Sequence, residues 1–395
     1  MIINFAIVLT ISILALFLRW YAAVSLPTDY DEPLYYKAAH AYAAAIRIHQ
    51  PDQILQYSYN FEHPVLAKLV YGVVLAYLSP DNMPTGEQLP FKSLRSLEQT
   101  RDPVHIVALR KISVGFGTFQ VIVLALFSPL AALLLAVHSM TIKYTSVIYL
   151  EALPACMSTT AVFLLYKALA IFRRKEAFSP RGSRWEVFSL VLSAISLGLA
   201  LAAKYMYAIV GVAIAVYWLI LIIRARSGRW GLLGLLLGWG MLVLVVFLLA
   251  DPYLWPDPAG RLIHSISYNF EYSQSEDVLN TSYPFYQPII WLAKSAPDHP
   301  SQAIPADGKE FLFQLDTLIA LLAVIGLPRL GKKHPLMLTW LVIGLVFLLI
   351  WKTKWPQYIL IITAPICIAA AEGIKTLVMA VWSHTPRKSP VIPEE

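Results

Sequence analysis

Apolar runs of roughly 20 residues recur from one end of this 395-residue chain to the other, and each is as long as a helix needs to be to cross a hydrocarbon core about 30 Å thick. They fall at residues 2–24, 64–80, 106–127, 152–172, 186–203, 205–223, 231–250, 311–328, 335–351 and 357–382. Two shorter pieces, 128–137 and 141–150, lie between them and predict a short or broken helical hairpin. The length rule gives about ten to twelve spans. A backbone in lipid must satisfy its own polar groups, so the fold class is an all-α polytopic membrane protein. Composition agrees, with 58% hydrophobic and 14% charged residues. The first run lacks a basic leader and a small-residue cleavage site and reads as a retained span. With no internal repeat and no soluble appended module, residues 1–395 form a single transmembrane domain.

The cations set the orientation. Arg173, Arg174, Lys175, Arg181 and Arg184 share one connector, Arg224, Arg226 and Arg229 another, Arg329, Lys332 and Lys333 a third, and Arg387 and Lys388 end the chain. Counting spans puts all of them on one side, which the positive-inside rule makes cytoplasmic in an inner or plasma membrane. The net charge of +7 belongs to these connectors, so nucleic acid is not expected as a partner. The first outer loop, 25–63, and the largest connector, 251–310, then face outward. Cys156 and Cys367 sit singly in apolar runs and indicate neither a disulfide nor a zinc cluster.

Ionisable residues gather in that first loop. Asp31 and Glu32 precede Pro33, which suits the first turn of a helix, and the helix N-terminus favours their negative charge. Leu34, Tyr35, Ala38, Ala39 and Tyr42 follow at helical spacing, predicting an amphipathic helix along the outer interface. A carboxylate held there can take a proton from an incoming hydroxyl; the alternative is a helix cap with a solvated neighbour. Glu62 and His63 stand at the mouth of the next span, with Lys68 one turn inside it. Facing lipid, such groups cost about 2–3 kcal/mol each, so they should face the interior or a wet cavity. Glu62 and His63 serve as an acceptor-orienting pair, a structural ion pair or two ligands of a divalent ion, although two ligands do not define a metal site.

Three lysines break the orientation rule. Lys204, Lys352 and Lys354 come out on the external side, where a phosphate at headgroup level would account for them. Otherwise they are snorkelling interface lysines among anchoring aromatics. Arg261 is a weaker candidate of the same kind, and Glu151, before Pro154, either lines the same cavity or caps a helix.

Asp31-Glu32 with Tyr35-Tyr36 after a first span, then Phe61-Glu62-His63-Pro64 with Leu66 and Lys68, and a late Lys354-Trp355-Pro356-Gln357-Tyr358 before an alanine-rich last span resemble the protein O-mannosyltransferase and aminoarabinose-transferase-like enzymes. These are multi-span glycosyltransferases of the GT-C fold. The resemblance implies transfer of one sugar from a polyprenyl- or dolichyl-phosphate donor to an acceptor hydroxyl of a lipid, protein or glycan on the extracytoplasmic face, by inverting single displacement. It implies Asp31 as base with Glu32 beside it, Glu62 and His63 near the acceptor or a divalent ion, and Lys204, Lys352, Lys354 and Tyr358 towards the donor phosphate. Val65 departs from the second proline common in that segment, and the lumenal module of eukaryotic protein mannosyltransferases is lacking.

The rival classes are a transporter or lipid flippase and a non-catalytic membrane subunit. Transporters place ionisable residues near the bilayer midplane, often on interrupted helices in two related halves. Here the charges collect at one surface.

Overall fold

The computed structural model describes residues 2–78, 103–174, 184–281, 283–293 and 315–384. Lys175, Arg181, Arg387 and Lys388, and residues 294–310 of the large connector, lie outside the described residues. Within them every regular element is helical. In chain order these are α1 (Ile2–Ser25), α2 (Glu32–Arg47), α3 (Pro51–Gln56), α4 (Leu66–Leu78), α5 (Pro103–Phe127), α6 (Pro129–Val137), α7 (Ser139–Tyr144), α8 (Ala152–Arg174) and α9 (Arg184–Ala203). A 3-10 turn, Tyr205–Tyr207, leads into α10 (Ala208–Arg224), followed by α11 (Arg229–Ala250), α12 (Pro258–Tyr272), α13 (Glu276–Thr281), α14 (Gln287–Ala293), α15 (Asp316–Lys333) and α16 (Pro335–Ile350). Further 3-10 turns are Pro252–Leu254, between α11 and α12, and Pro356–Ile359, which opens α17 (Leu360–His384).

Seven helices among the described residues are long and apolar enough to span a bilayer; α4 and α16 are shorter apolar helices. The last span is the centre of the bundle. Its apolar window is 83% buried, against 22% for α11, which therefore turns most of its surface to lipid. α17 packs against α15 at Gly326 and Gly373, where an added Cβ would overlap the backbone of the opposite helix. Helices in lipid have no hydrophobic drive to associate, and small residues let them gain contact by close approach.

The hairpin predicted to be broken is broken at His138, between α6 and α7. The break frees backbone groups inside the membrane, and side chains from distant elements supply the missing bonds, as burial in an apolar medium requires. Arg19 of α1, fully buried, donates to the carbonyls of Leu135 and Ala136 and to Thr145 Oγ1 (3.0 Å). Asp316, at the start of α15, accepts from Ser139 N at 2.9 Å and Ser139 Oγ at 2.5 Å.

At one end of the bundle the connectors form a cap. Asp257 caps α12 by accepting from Gly260 N at 3.0 Å, and Pro258 takes the first helical position. α12 is clamped to the first loop by Ser265 Oγ on Phe61 O (2.9 Å) and Arg261 on the carbonyls of Leu55 (2.5 Å) and Tyr253 (2.6 Å). That is the role of Arg261.

Candidate active site

The acidic stretch is built around Arg110 of α5. Its guanidinium donates to the carbonyls of Ala23 (2.9 Å), Leu26 (2.8 Å) and Pro27 (2.9 Å), stapling the end of α1, and to both carboxylate oxygens of Glu32 at 2.8 and 2.5 Å. Glu32, 1% exposed, also accepts from Ile148 N (2.7 Å) and Asp29 N (2.9 Å). Every lone-pair direction is used. Glu32 is thus turned away from the cavity its neighbour lines, and the pairing with Asp31 expected from their adjacency is a pairing in sequence alone. Asp29 is similarly engaged, with Lys143 Nζ at 3.0 Å and the Tyr149 hydroxyl at 2.9 Å.

Asp31 is placed differently. It lines a cavity of about 220 Å³ together with Glu62, His63, Lys204, Tyr149 and Tyr358. Its backbone N–H donates to the Tyr149 hydroxyl at 3.3 Å, and its Oδ2 accepts a long bond from Gln357 Nε2 at 3.5 Å. Burial, and then the negative charge of Glu151, push its pKa up to about 7, with Asp29 adding to the rise and Lys204 opposing it. A position at a helix N-terminus alone predicts a fully ionised carboxylate; burial among like charges outweighs that bias here.

The second segment turns at Asn60, whose φ of 54° lies in the left-handed region that asparagine tolerates. Lys68 reaches back from α4 to donate to the carbonyls of Asn60 (2.6 Å) and His63 (2.8 Å), so the cation inside the span faces the protein interior as expected. Asn60 Nδ2 donates to Glu62 Oε1 at 2.5 Å. His63 borders the cavity with its ring centroid 6.2 Å from that of Tyr35, and burial, with Lys204 and Lys68 nearby, holds its pKa well below the usual value. It is neutral at physiological pH. Glu62 and His63 gain no third ligand: no group of three His, Cys, Asp or Glu among the described residues could hold a metal ion.

The three lysines part company. Lys204 closes the cavity from the turn after α9, paired with Glu151 Oε1 and 4.9 Å from the centre of the Tyr358 ring. Glu151 Oε2 is buried without a partner. Lys352 and Lys354 line a neighbouring cavity of about 370 Å³, with Trp355 bordering both. Lys354 donates to the carbonyls of Leu348 (3.0 Å), Leu349 (3.1 Å) and Trp351, closing the C-terminus of α16. It stands neither across from Asp31 nor free for an anion.

Several lining residues were not legible as site residues. Tyr149 and Gln357 touch Asp31, and Tyr268, Asn269 and Tyr272 of α12 roof the cavity. The spacing of Tyr268 and Tyr272, four apart on a polar-faced helix, was the available signal. Their rings stack 6.4 Å apart at 3°.

Neither protein-family models nor curated proteins match the chain. Solved structures do. ArnT from Cupriavidus metallidurans, bound to undecaprenyl phosphate, aligns over 97% of this chain and 61% of its own at 14% identity and a TM-score of 0.59. The oligosaccharyltransferase AglB from Archaeoglobus fulgidus, in complex with an inhibitory peptide and a dolichol phosphate, aligns over 98% and 52% at 11% identity and a TM-score of 0.55. The chain therefore spans between half and two thirds of the length of these proteins. The likeness establishes the fold, a GT-C-type helical membrane bundle.

Proposed function

We propose that this protein is a membrane glycosyltransferase that moves one sugar from a polyprenyl- or dolichyl-phosphate donor to an acceptor hydroxyl, with inversion at the sugar carbon. The observation that carries the proposal is Asp31, a carboxyl with its pKa raised to about 7, on the wall of a cavity that Lys204 and Tyr358 also line. A general base works best with a pKa near the operating pH, strong enough to take a proton and mostly free of one. The acceptor hydroxyl gives its proton to the Asp31 carboxylate as its oxygen bonds to the sugar carbon. The bond from that carbon to the phosphate oxygen breaks, and the electron pair leaves with the prenyl phosphate. Lys204 stabilises the departing charge, with its position fixed by Glu151 and by the Tyr358 ring. Lys352, in the adjoining cavity, accompanies the lipid phosphate. Glu62 and the neutral His63 orient the acceptor.

Glu32 and Lys354 are scaffold in this scheme. Among the described residues, Arg224, Arg229, Arg329, Lys332 and Lys333 fall towards the helix ends remote from the cavity, which supports an extracytoplasmic position for it. The ionisable groups that line the Asp31 cavity gather at one end of the bundle, which favours an enzyme over a transporter with its substrate site at the midplane. The two solved relatives, held with undecaprenyl and dolichol phosphates, support a lipid-linked donor, and the peptide on AglB keeps a protein acceptor among the candidates.

The test is to reconstitute the protein in liposomes with a panel of prenyl-phosphate sugars and follow release of free prenyl phosphate. Release from one donor, abolished in a folded Asp31→Asn variant, is the expected result. Release that persists in that variant, or no release from any donor, would sink the proposal.

A further inference from the structure

Not every polar group near the Asp31 cavity lines it. Glu151 and Tyr207 stay off its wall, each 1% exposed, and each has a buried polar atom without a hydrogen-bond partner among the described residues: Glu151 Oε2 and the Tyr207 hydroxyl. The first can only accept once ionised, and the second can donate. Lys204 is what brings the two together. It follows α9 in extended backbone, and the 3-10 turn Tyr205–Tyr207 closes on it, with Tyr207 N donating to Lys204 O at 3.1 Å. The same turn packs against α8, which starts one residue after Glu151. Lys204 Nζ holds Glu151 Oε1, and among the described residues Glu151 is the one charged side chain whose field reaches the Tyr207 hydroxyl.

Other tyrosines feel the same charge and are committed elsewhere. Tyr71 spends its hydroxyl on Ser113 (2.7 Å) and on the carbonyl of Tyr149 (2.6 Å), while Tyr35 and Tyr358 line the cavity, where substrate competes for them. Tyr207 is a donor kept apart from both. A buried hydroxyl left unbonded costs about 1–3 kcal/mol, and a second state of the site in which the bond is made accounts for its being there. Sugar transfer supplies that state. The phosphate of the donor is a diester with a single negative charge, whereas the departing prenyl phosphate is a monoester carrying about −1.5 to −2 at pH 7. The added charge draws Lys204 towards the phosphate and off Glu151 Oε1. A buried carboxylate deprived of its cation costs about 3–5 kcal/mol, and that cost opposes the move.

We propose that Tyr207 is a positioning residue that releases Lys204, its O–H turning onto Glu151 as the ammonium moves to the leaving phosphate. The inference rests on the sugar-transfer reading, and the hydroxyl never touches the sugar. Because the phosphate gains its charge only as the bond breaks, the bond from Tyr207 belongs to the transition state and the product complex. It raises turnover without tightening the donor complex.

Tyr207→Phe removes the hydroxyl alone. With that hydroxyl unbonded at rest, the variant should unfold at a temperature no lower than the parent protein; a lower one means the bond already exists and overturns the proposal. The full-length protein in nanodiscs is titrated with undecaprenyl phosphate and with dolichyl phosphate at about pH 8, where the monoester carries close to two charges, and the bound fraction is read by native mass spectrometry. Tyr207→Phe should weaken binding of the lipid that the parent retains by about tenfold, the scale of one hydrogen bond to a charged group, and in liposomes lower kcat by a similar factor with KM for the sugar donor unchanged. In a Glu151→Gln background both effects should vanish, since no carboxylate remains to be held. Effects of equal size in the two backgrounds, none in either, or a change confined to KM overturn the proposal and leave sugar transfer standing. A parent protein that binds neither lipid phosphate, or transfers sugar from no donor, overturns both.

Discussion

Asp31 and Glu32 are neighbours in the chain and belong to two regions that treat a carboxylate in opposite ways. At the Arg110 junction every polar atom has a partner: Glu32 receives four donors and Asp29 takes an ammonium and a hydroxyl. In the cavity one step away, the Asp31 carboxylate has a long bond from Gln357 and the Tyr149 hydroxyl, shared with Asp29, beside it, and Glu151 keeps one buried oxygen without a partner. A fully satisfied network fixes a fold, whereas an incompletely satisfied one keeps bonding capacity in reserve for something that arrives later. Unused capacity, more than charge itself, distinguishes the region fit for chemistry.

The sharpest way to break this comparison is to neutralise each region in turn. Asp31→Asn should lower sugar transfer by about 10²–10⁴-fold, the usual contribution of a general base, with the midpoint of thermal unfolding unchanged. Arg110→Ala should do the reverse. Stranding Glu32 in the interior costs about 3–5 kcal/mol, read as a large drop in thermal stability, and any loss of transfer should track the fraction unfolded. If Arg110→Ala stays folded and loses transfer, the two regions are not separable.

Lys204→Met comes next, with an expected loss of about 10²-fold in turnover if Lys204 stabilises the leaving phosphate. The same variant should move the pH profile. Asp31 acts as base only when ionised, so transfer should fall as pH drops through about 7. Lys204 pulls that midpoint down, hence Lys204→Met should raise it; Glu151 pushes it up, hence Glu151→Gln should lower it. A midpoint that shifts the same way in both variants would contradict the assignment of these two neighbours. The smallest effect belongs to Lys354→Ala. It removes donors from the end of α16, which at a helix terminus is worth about 0.3–1 kcal/mol, and it should leave the pH midpoint in place.

The spans were legible because length and apolarity are local properties, and so was the break in the hairpin, where two runs of the chain are each too short to cross. That Asp31, Glu62, His63 and Lys204 would share a cavity was legible because each is ionisable at a span end, where lipid tolerates such groups only for a reason, whereas Tyr358 was pointed to by the resemblance alone. They do border one cavity. The division of labour among them was hidden. Nothing beside Glu32 in the sequence announces Arg110, 78 residues away, and Lys354 is read as a free cation until α16 ends next to it and exposes its carbonyls. Tyr149 was hidden as well, since it reads as part of an apolar piece and only the loop after α7 aims its hydroxyl at Asp29.

The glycine contact between α15 and α17 reaches further than its size suggests. α17 leads from the 3-10 turn carrying Gln357 and Tyr358, past Pro365, to Gly373 and beyond. Pro365 removes a rung of the helical ladder between the two ends, so the upper turns of α17 can bend away from the lower ones. Adding one methyl group at Gly326 or Gly373 would wedge two staves apart within the lipid. Two hydrogens in place of two methyls thus act as a gauge block, setting from deep in the membrane how closely α15 and α17 seat.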